Sequence, residues 1–195
     1  MERTAVFAGF GGQGILFAAE ALARAAMLDG REVFWIPSYG PEMRGGTASC
    51  SVIVANGRIG SPIVDLVDVA VVLNPPSLAR FEPLVAPGGV LVVNDSLIEA
   101  EVRRRDISVA RVRCTAEARK AGSEQMTAVV ALGAAVAASG IVSATSVREA
   151  LIQLVAEKHP KTMAANLAAL QAGFDAGTSV PTPNESNVLE LLGIL

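Results

Sequence analysis

Histidine occurs once in this 195-residue chain and cysteine twice, and these scarcities exclude much chemistry. Cys50 and Cys114 lie far apart with no C-x-x-C spacing, so no disulfide scaffold, iron–sulfur cluster or zinc site is expected. The lone His159, in "EKHPKT", reads as part of a turn between helices with a structural or solvated role. The serines include no G-x-S-x-G elbow and no carboxylate pair has a suggestive context, so a self-sufficient enzyme is not expected. Charge is sparse too, at 18% against about 25% in an average soluble domain. Arg103-Arg104-Arg105 is the only basic cluster and the net charge is −3, which disfavours nucleic acid as a partner.

Long apolar runs are also missing. "MERTAVFAGF" is too short in its apolar part for a signal peptide and runs straight into glycines. Met126 to Val142 is uncharged, but it is short for a span of about 20 residues and diluted with Ala, Gly, Ser and Thr. A buried helix of a soluble, cytoplasmic protein is expected there. What the chain does have is small apolar residues: 51% hydrophobic, much of it Ala and Val, with only 4% aromatic. Such a composition predicts one domain over residues 1–195, with part of its outside covered by partners.

The pattern along the chain predicts an α/β fold. Thr4 to Phe10 reads as a strand ending at glycine. Ile15 to Leu28 reads as a helix, with Ile15, Ala19, Leu22 and Ala26 on one face and Glu20 and Arg24 paired on another. Arg31 to Pro37 is a second strand, joined to the first by a crossover expected to be right-handed. Thr47 to Val54 alternates, and Asn56-Gly57 predicts a hairpin whose return strand begins at Arg58. Buried strands are expected at Val67–Asn74 and Val90–Asn94, with a break at Pro75-Pro76, a short helix over Ser77–Val85 and a further strand at Ser108–Val112. Three helices close the chain: Glu124–Ala138, one opened by a Ser146–Glu149 capping box, and one from Thr162 with a Met163, Leu167, Leu170, Phe174 stripe. A Pro/Ser-rich segment and the apolar "VLELLGIL" follow. The sum is a three-layer αβα arrangement: a mostly parallel sheet, an inserted antiparallel hairpin and a Rossmann-like start.

That start carries Gly9-Phe10-Gly11-Gly12-Gln13-Gly14, which fits G-x-G-x-x-G between a strand and a helix. Its backbone N–H groups would welcome a phosphate. The dinucleotide fingerprint, however, also needs an acidic residue at the end of strand two to hold a ribose. Glu32 stands at that strand's start and Glu42 lies beyond Pro41, so a nicotinamide or flavin dinucleotide is disfavoured. Anion binding and a purely structural turn remain the two readings. A second polar patch, Ser38 to Gly46, holds Tyr39, Glu42 and Arg44, and should neighbour the glycine loop at the strands' carboxyl ends. Arg44 could clamp a phosphate or carboxylate, or Glu42 could simply hold Arg44 in a loop at a subunit interface.

"GFGGQG", "SYGPEMRGGTASCSVIV", "GSPIVDLVDVAVVLNPPSLARF" and "LVAPGGVLVVNDSLI" together resemble the gamma subunit of 2-oxoacid:ferredoxin (acceptor) oxidoreductases. The resemblance is dense from Thr4 to Ile98 and loose beyond. It implies a complex that oxidatively decarboxylates a 2-oxoacid with thiamine diphosphate, sends electrons singly to iron–sulfur clusters and passes the acyl group to coenzyme A. Thiamine diphosphate, Mg and the clusters would belong to alpha and beta partner subunits, with a ferredoxin-like delta subunit as a further candidate. This chain would help to bind coenzyme A through Gly9, Gly11, Gly12, Gln13 and Gly14, and more weakly Ser38, Tyr39, Glu42 and Arg44, with no catalytic residue of its own. "SYGPEMRGG" is closer to the 2-oxoglutarate and ketoisovalerate types than to the pyruvate type. An indolepyruvate oxidoreductase subunit and a non-catalytic assembly subunit without ligand stay open as alternatives.

Overall fold

A computed structural model describes residues 2–38, 47–60 and 65–178. Its elements are β1 (Glu2–Phe10), α1 (Ile15–Leu28), β2 (Glu32–Ser38), β3 (Thr47–Ala55), β4 (Val67–Val72), α2 (Pro75–Phe81), β5 (Val85–Asn94), β6 (Ser108–Val112), α3 (Cys114–Ala121), α4 (Thr127–Ser139), α5 (Ala144–Lys158) and α6 (Met163–Gly177). The strands form one sheet in the order β2-β3-β1-β4-β5-β6. β1, β4, β5 and β6 pair in parallel, and β3 pairs antiparallel with both β1 and β2. The fold is therefore α/β around a mixed, mostly parallel sheet, as the sequence predicts.

The antiparallel element sits elsewhere than expected. Asn56-Gly57 does not open a hairpin, and Arg58 to Gly60 form no strand. β3 pairs backwards instead, with Ser38 opposite Ser49 and Trp35 opposite Val52. It lies between β1 and β2, which run in the same direction without touching. The pairing satisfies both backbone edges of an apolar strand, which a return strand of three residues could not do.

Helices cover the two faces very unequally. Ala5, Phe7, Val69, Val71, Val90 and Val92 point to one side and pack in the main core with α1, α3, α4, α5 and α6. Val6, Ala8, Ala70, Val72, Leu91 and Val93 point to the other, where among the described helices only the short α2 contributes, through Leu78 and Phe81. α4 is the centre of the main core, and every residue from Thr127 to Val136 is buried. It is enclosed by the sheet, α1, α3 and α6, and its 13 residues explain the uncharged run without a membrane. No described helix is long and apolar enough to cross one.

α6 corrects the expected stripe. Ala169, Leu170, Gly173 and Gly177 are the buried apolar and small positions, while Met163, Leu167 and Phe174 only flank the core. A methyl placed on Gly133 or Gly173 would strike the facing backbone of Leu170 or Val130, so bare glycine lets α4 and α6 touch directly. Side-chain size thus mattered more than hydrophobicity, which a hydrophobic stripe does not register.

Several boundaries shift for local reasons. Pro75 and Pro76 do not precede a helix but begin α2, because Asn74 caps it and proline lacks only an N–H that the first turn leaves unpaired. α5 is capped by Ser143, which accepts from Ser146 N at 3.0 Å, rather than by a box at Ser146. β5 reaches back to Val85 through the Pro87–Gly89 stretch, and α3 is an additional short helix. The Pro/Ser-rich segment beyond Thr178 and "VLELLGIL" lie outside the described residues.

Candidate functional site

The glycine loop joins β1 to α1 and is stiffened from within. Gln13 Oε1 accepts a hydrogen bond from Phe10 N at 2.7 Å, and Gln13 N donates back to Phe10 O at 3.4 Å. Gly12 and Gly14 take φ of 89° and 84°, which residues with a Cβ rarely adopt. Gly14 is the N-cap of α1 and supplies no side-chain cap, and the first turn carries no charge. The orphan N–H groups of Ile15, Leu16 and Phe17 are left to an external acceptor. Gly9 and Gly14 serve packing: a Cβ on Gly9 would meet Leu73, and one on Gly14 would stand 2.7 Å from Gln125 O. A Cβ on Gly11 or Gly12 would meet nothing within 4 Å.

Those open positions face a cavity of about 570 Å³. Phe10, Gly11, Gly12, Gly14 and the first turn of α1 form one side, with Thr47 and Ala48 of β3 beside them. Ser123, Gln125 and Met126, ahead of α4, form another, and His159, Thr162 and Asn166 a third. The volume lies within the range for small-molecule sites, and a mainly apolar lining with a few converging polar groups is their usual character.

Sequence reasoning had dismissed His159 to a turn. It is at a turn, but one that borders the cavity, 6.0 Å from the ring of Phe17. Ser123, Gln125, Thr162 and Asn166 were missed altogether. No local signal marks them: Ser123, for one, reads as an ordinary helix cap and does accept from Gln125 N. Of the second polar patch, Ser38 is exposed at the end of β2 opposite Ser49 and does not line the cavity. Tyr39, Glu42 and Arg44 lie outside the described residues. The patch runs from Ser38 to Gly46, and the next residue, Thr47, pairs with Phe10 at the cavity rim. The two loops are thus neighbours at their described ends, brought there by antiparallel β3.

An ion-pair network fastens α5 to α1 beside the cavity. Glu20 accepts from Arg24 at 2.9 Å and Lys158 at 2.6 Å, and Arg24 also pairs with Glu157 at 2.8 Å. Burial pushes the Glu20 carboxyl up, but Lys158 and Arg24 outweigh it and hold it below the usual range. Across the loop, Ala128 N donates to Gln13 O at 3.2 Å, so α4 also anchors the cradle. Among the described residues no cluster of His, Cys, Asp and Glu could hold a metal. At the carboxyl end of β4, Asn74 Nδ2 and Ser77 Oγ are buried without partners, next to Leu73, whose N–H donates to Ala8 O.

Known proteins share this architecture. The chain is 41% identical over 173 residues to the ketoisovalerate oxidoreductase subunit VorA of Methanothermobacter thermautotrophicus, covering 86% of this chain and 35% of VorA. It therefore spans about a third of that relative's length. It is 36% identical to the 2-oxoglutarate synthase subunit KorC of the same organism, covering 85% of this chain and 90% of KorC. The crystal structure of the keto/oxoacid ferredoxin oxidoreductase gamma subunit from Geobacter sulfurreducens superimposes with a TM-score of 0.77 at 28% identity, covering 90% of this chain and 98% of that one. The 2-oxoglutarate:ferredoxin oxidoreductase of Magnetococcus marinus, solved with 2-oxoglutarate, coenzyme A and succinyl-CoA, shares the fold at a TM-score of 0.82 and 22% identity, over 93% of this chain and 32% of that one. Residues 4–176 match the model of the pyruvate ferredoxin/flavodoxin oxidoreductase family, and to that family this chain belongs.

Proposed function

We propose that this chain is the gamma-type subunit, or the equivalent domain, of a cytoplasmic 2-oxoacid:ferredoxin oxidoreductase that converts a 2-oxoacid to its acyl-coenzyme A. Its own part is to hold coenzyme A and to complete the assembly. The observation that carries this is the glycine loop. Gly11 and Gly12 present bare backbone to a 570 Å³ cavity at the uncapped N-terminus of α1. A diphosphate fits that cradle: free N–H groups face it and the helix dipole favours negative charge, an effect of about 0.3–1 kcal/mol at an exposed helix end. Coenzyme A supplies the thiol that accepts the acyl group. Phe10, Ile15, Leu16 and Met126 offer apolar surface to the rest of the coenzyme, and Ser123, Gln125 and Thr162 offer hydrogen bonds. In this reading Tyr39, Glu42 and Arg44 would also contact coenzyme A, whereas Ser38 is not part of the cavity wall.

Iron–sulfur clusters are assigned to partner subunits, since Cys50 and Cys114 are both buried and far apart in sequence, and thiamine diphosphate with Mg is assigned to alpha and beta partners on the family resemblance. The sheet face on which α2 is the only described helix supports a covering partner: Phe34 is exposed opposite Ile53, and exposed Leu66, Leu84 and Leu97 are next in sequence to its core residues Val67, Val85 and Ile98. A 2-oxoglutarate or branched-chain substrate is favoured by the relatives' names, with substrate selection resting on the partners. The test is reconstitution. Partner subunits with this chain should reduce ferredoxin in a reaction that needs both 2-oxoacid and coenzyme A, and the chain alone should not. Activity from the pure chain, or full acyl-coenzyme A formation by the partners without it, would contradict the proposal.

A further inference from the structure

His159 is the only ionisable side chain on the described wall of the cavity. Its imidazole makes no hydrogen bond or ion pair among the described residues, although its backbone is fixed from several sides. His159 N donates to Val155 O at 2.8 Å, and Thr162 Oγ1 donates to His159 O at 2.8 Å. Asn166 Nδ2 in turn donates to Thr162 Oγ1 at 2.9 Å. Just before it, Glu157 and Lys158 are tied to α1 by the pairs with Arg24 and Glu20. The ring rests against Phe17 at a 52° tilt. An exposed imidazole held this firmly, with both nitrogens free, is set out for something that is not part of the chain.

The charges around it say what that is. Glu20, Arg24, Glu157 and Lys158 neutralise one another, two against two, and Lys161 on the following 3-10 turn adds a further positive charge. The lining itself holds no acidic side chain, and it offers N–H donors. Phe17 lies three residues beyond Gly14, a rise of about 4.5 Å along α1, so the residue against which His159 rests stands just past the glycine loop in the same cavity. We propose that His159 binds a second phosphate, a monoester, of the ligand whose diphosphate occupies the glycine loop. This rests on coenzyme A as that ligand, since it carries both groups.

The test is calorimetric titration of the full chain, in the assembly in which it purifies, with coenzyme A and with 3′-dephospho-coenzyme A. A charge-assisted hydrogen bond corresponds to about ten-fold or more in affinity. The unsubstituted protein should prefer coenzyme A by that factor. His159→Gln should bind both compounds alike, at the weaker level, and His159→Lys should restore the preference. Equal binding of both compounds by the unsubstituted protein, or an undiminished preference in His159→Gln, would overturn the assignment of His159 while leaving coenzyme A at the loop. Failure of both compounds to bind would overturn the coenzyme A reading itself.

Discussion

The side chain of Gln13 closes the glycine loop on Phe10: Gln13 Oε1 accepts from Phe10 N at 2.7 Å while Gln13 N returns to Phe10 O. The residue that a fingerprint would assign to the ligand has its oxygen turned toward its own loop. Replacing Gln13 by Leu removes that acceptor, a loss of about 1 kcal/mol. Coenzyme A affinity should fall about five-fold as the loop loosens, with the fold retained. Titration of Gln13→Leu beside the parent checks this, and unchanged affinity would show that the loop needs no internal brace.

Gly14→Ala should act on stability rather than on the ligand alone. Its φ of 84° costs a residue with a Cβ about 1–2 kcal/mol, and the added methyl would stand 2.7 Å from Gln125 O. Thermal unfolding should shift down by at least about 2 °C. An unchanged midpoint would mean that the contact between the loop and the start of α4 is not structural.

Gly173→Ala should prise α6 from α4. The methyl would run into Val130 backbone, and overpacking of this kind costs about 1–3 kcal/mol. Because Thr162 and Asn166 ride on the start of α6, ligand affinity should fall too. Denaturant unfolding reads the first effect and titration the second.

The two buried thiols should make the protein sensitive to alkali. Burial pushes Cys50 up to about 12, only partly offset by Trp35, and pushes Cys114 up as well. An unfolded thiol loses its proton near pH 8.5. Above that pH the unfolded chain binds fewer protons than the folded one, so stability falls as pH rises, by up to about 1.4 kcal/mol per unit per thiol. Urea midpoints at pH 8 and pH 10 should differ, and a Cys50→Ala, Cys114→Ala variant should lose part of that difference.

Much of the fold was legible because it rests on periodicity. Ile15, Ala19, Leu22 and Ala26 announce the buried face of α1, and the Glu20–Arg24 pair forms as its spacing implies. The strand partners were not legible. Asn56-Gly57 is a genuine turn signal, yet β3 gains more by filling the gap between β1 and β2. The site was half legible. The loop shows in its glycines, whereas His159, Thr162 and Asn166 are more than a hundred residues away in sequence and meet it only because α5 packs on α1 and α6 packs on α4 and α5. Nothing local in "EKHPKT" encodes that meeting.

The most direct test of coenzyme A at the glycine loop is a pair of substitutions at Gly11. Gly12 is unsuited because its φ of 89° would strain any replacement, whereas Gly11 has no positive φ and open space where a Cβ would stand. In an enzyme of confirmed subunit stoichiometry, the quantity to measure is the ratio of coenzyme A-dependent acyl transfer to electron release from the 2-oxoacid without coenzyme A. Gly11→Asp sets a carboxylate against the diphosphate, and a charge-assisted bond lost there is worth about 1.5–3 kcal/mol. It should raise the apparent KM for coenzyme A about ten-fold or more and leave electron release intact, while Gly11→Ala, which adds bulk without charge, should raise that KM less. A ratio unaltered by Gly11→Asp, or a fall in both activities together, would contradict the account and leave the loop as a turn.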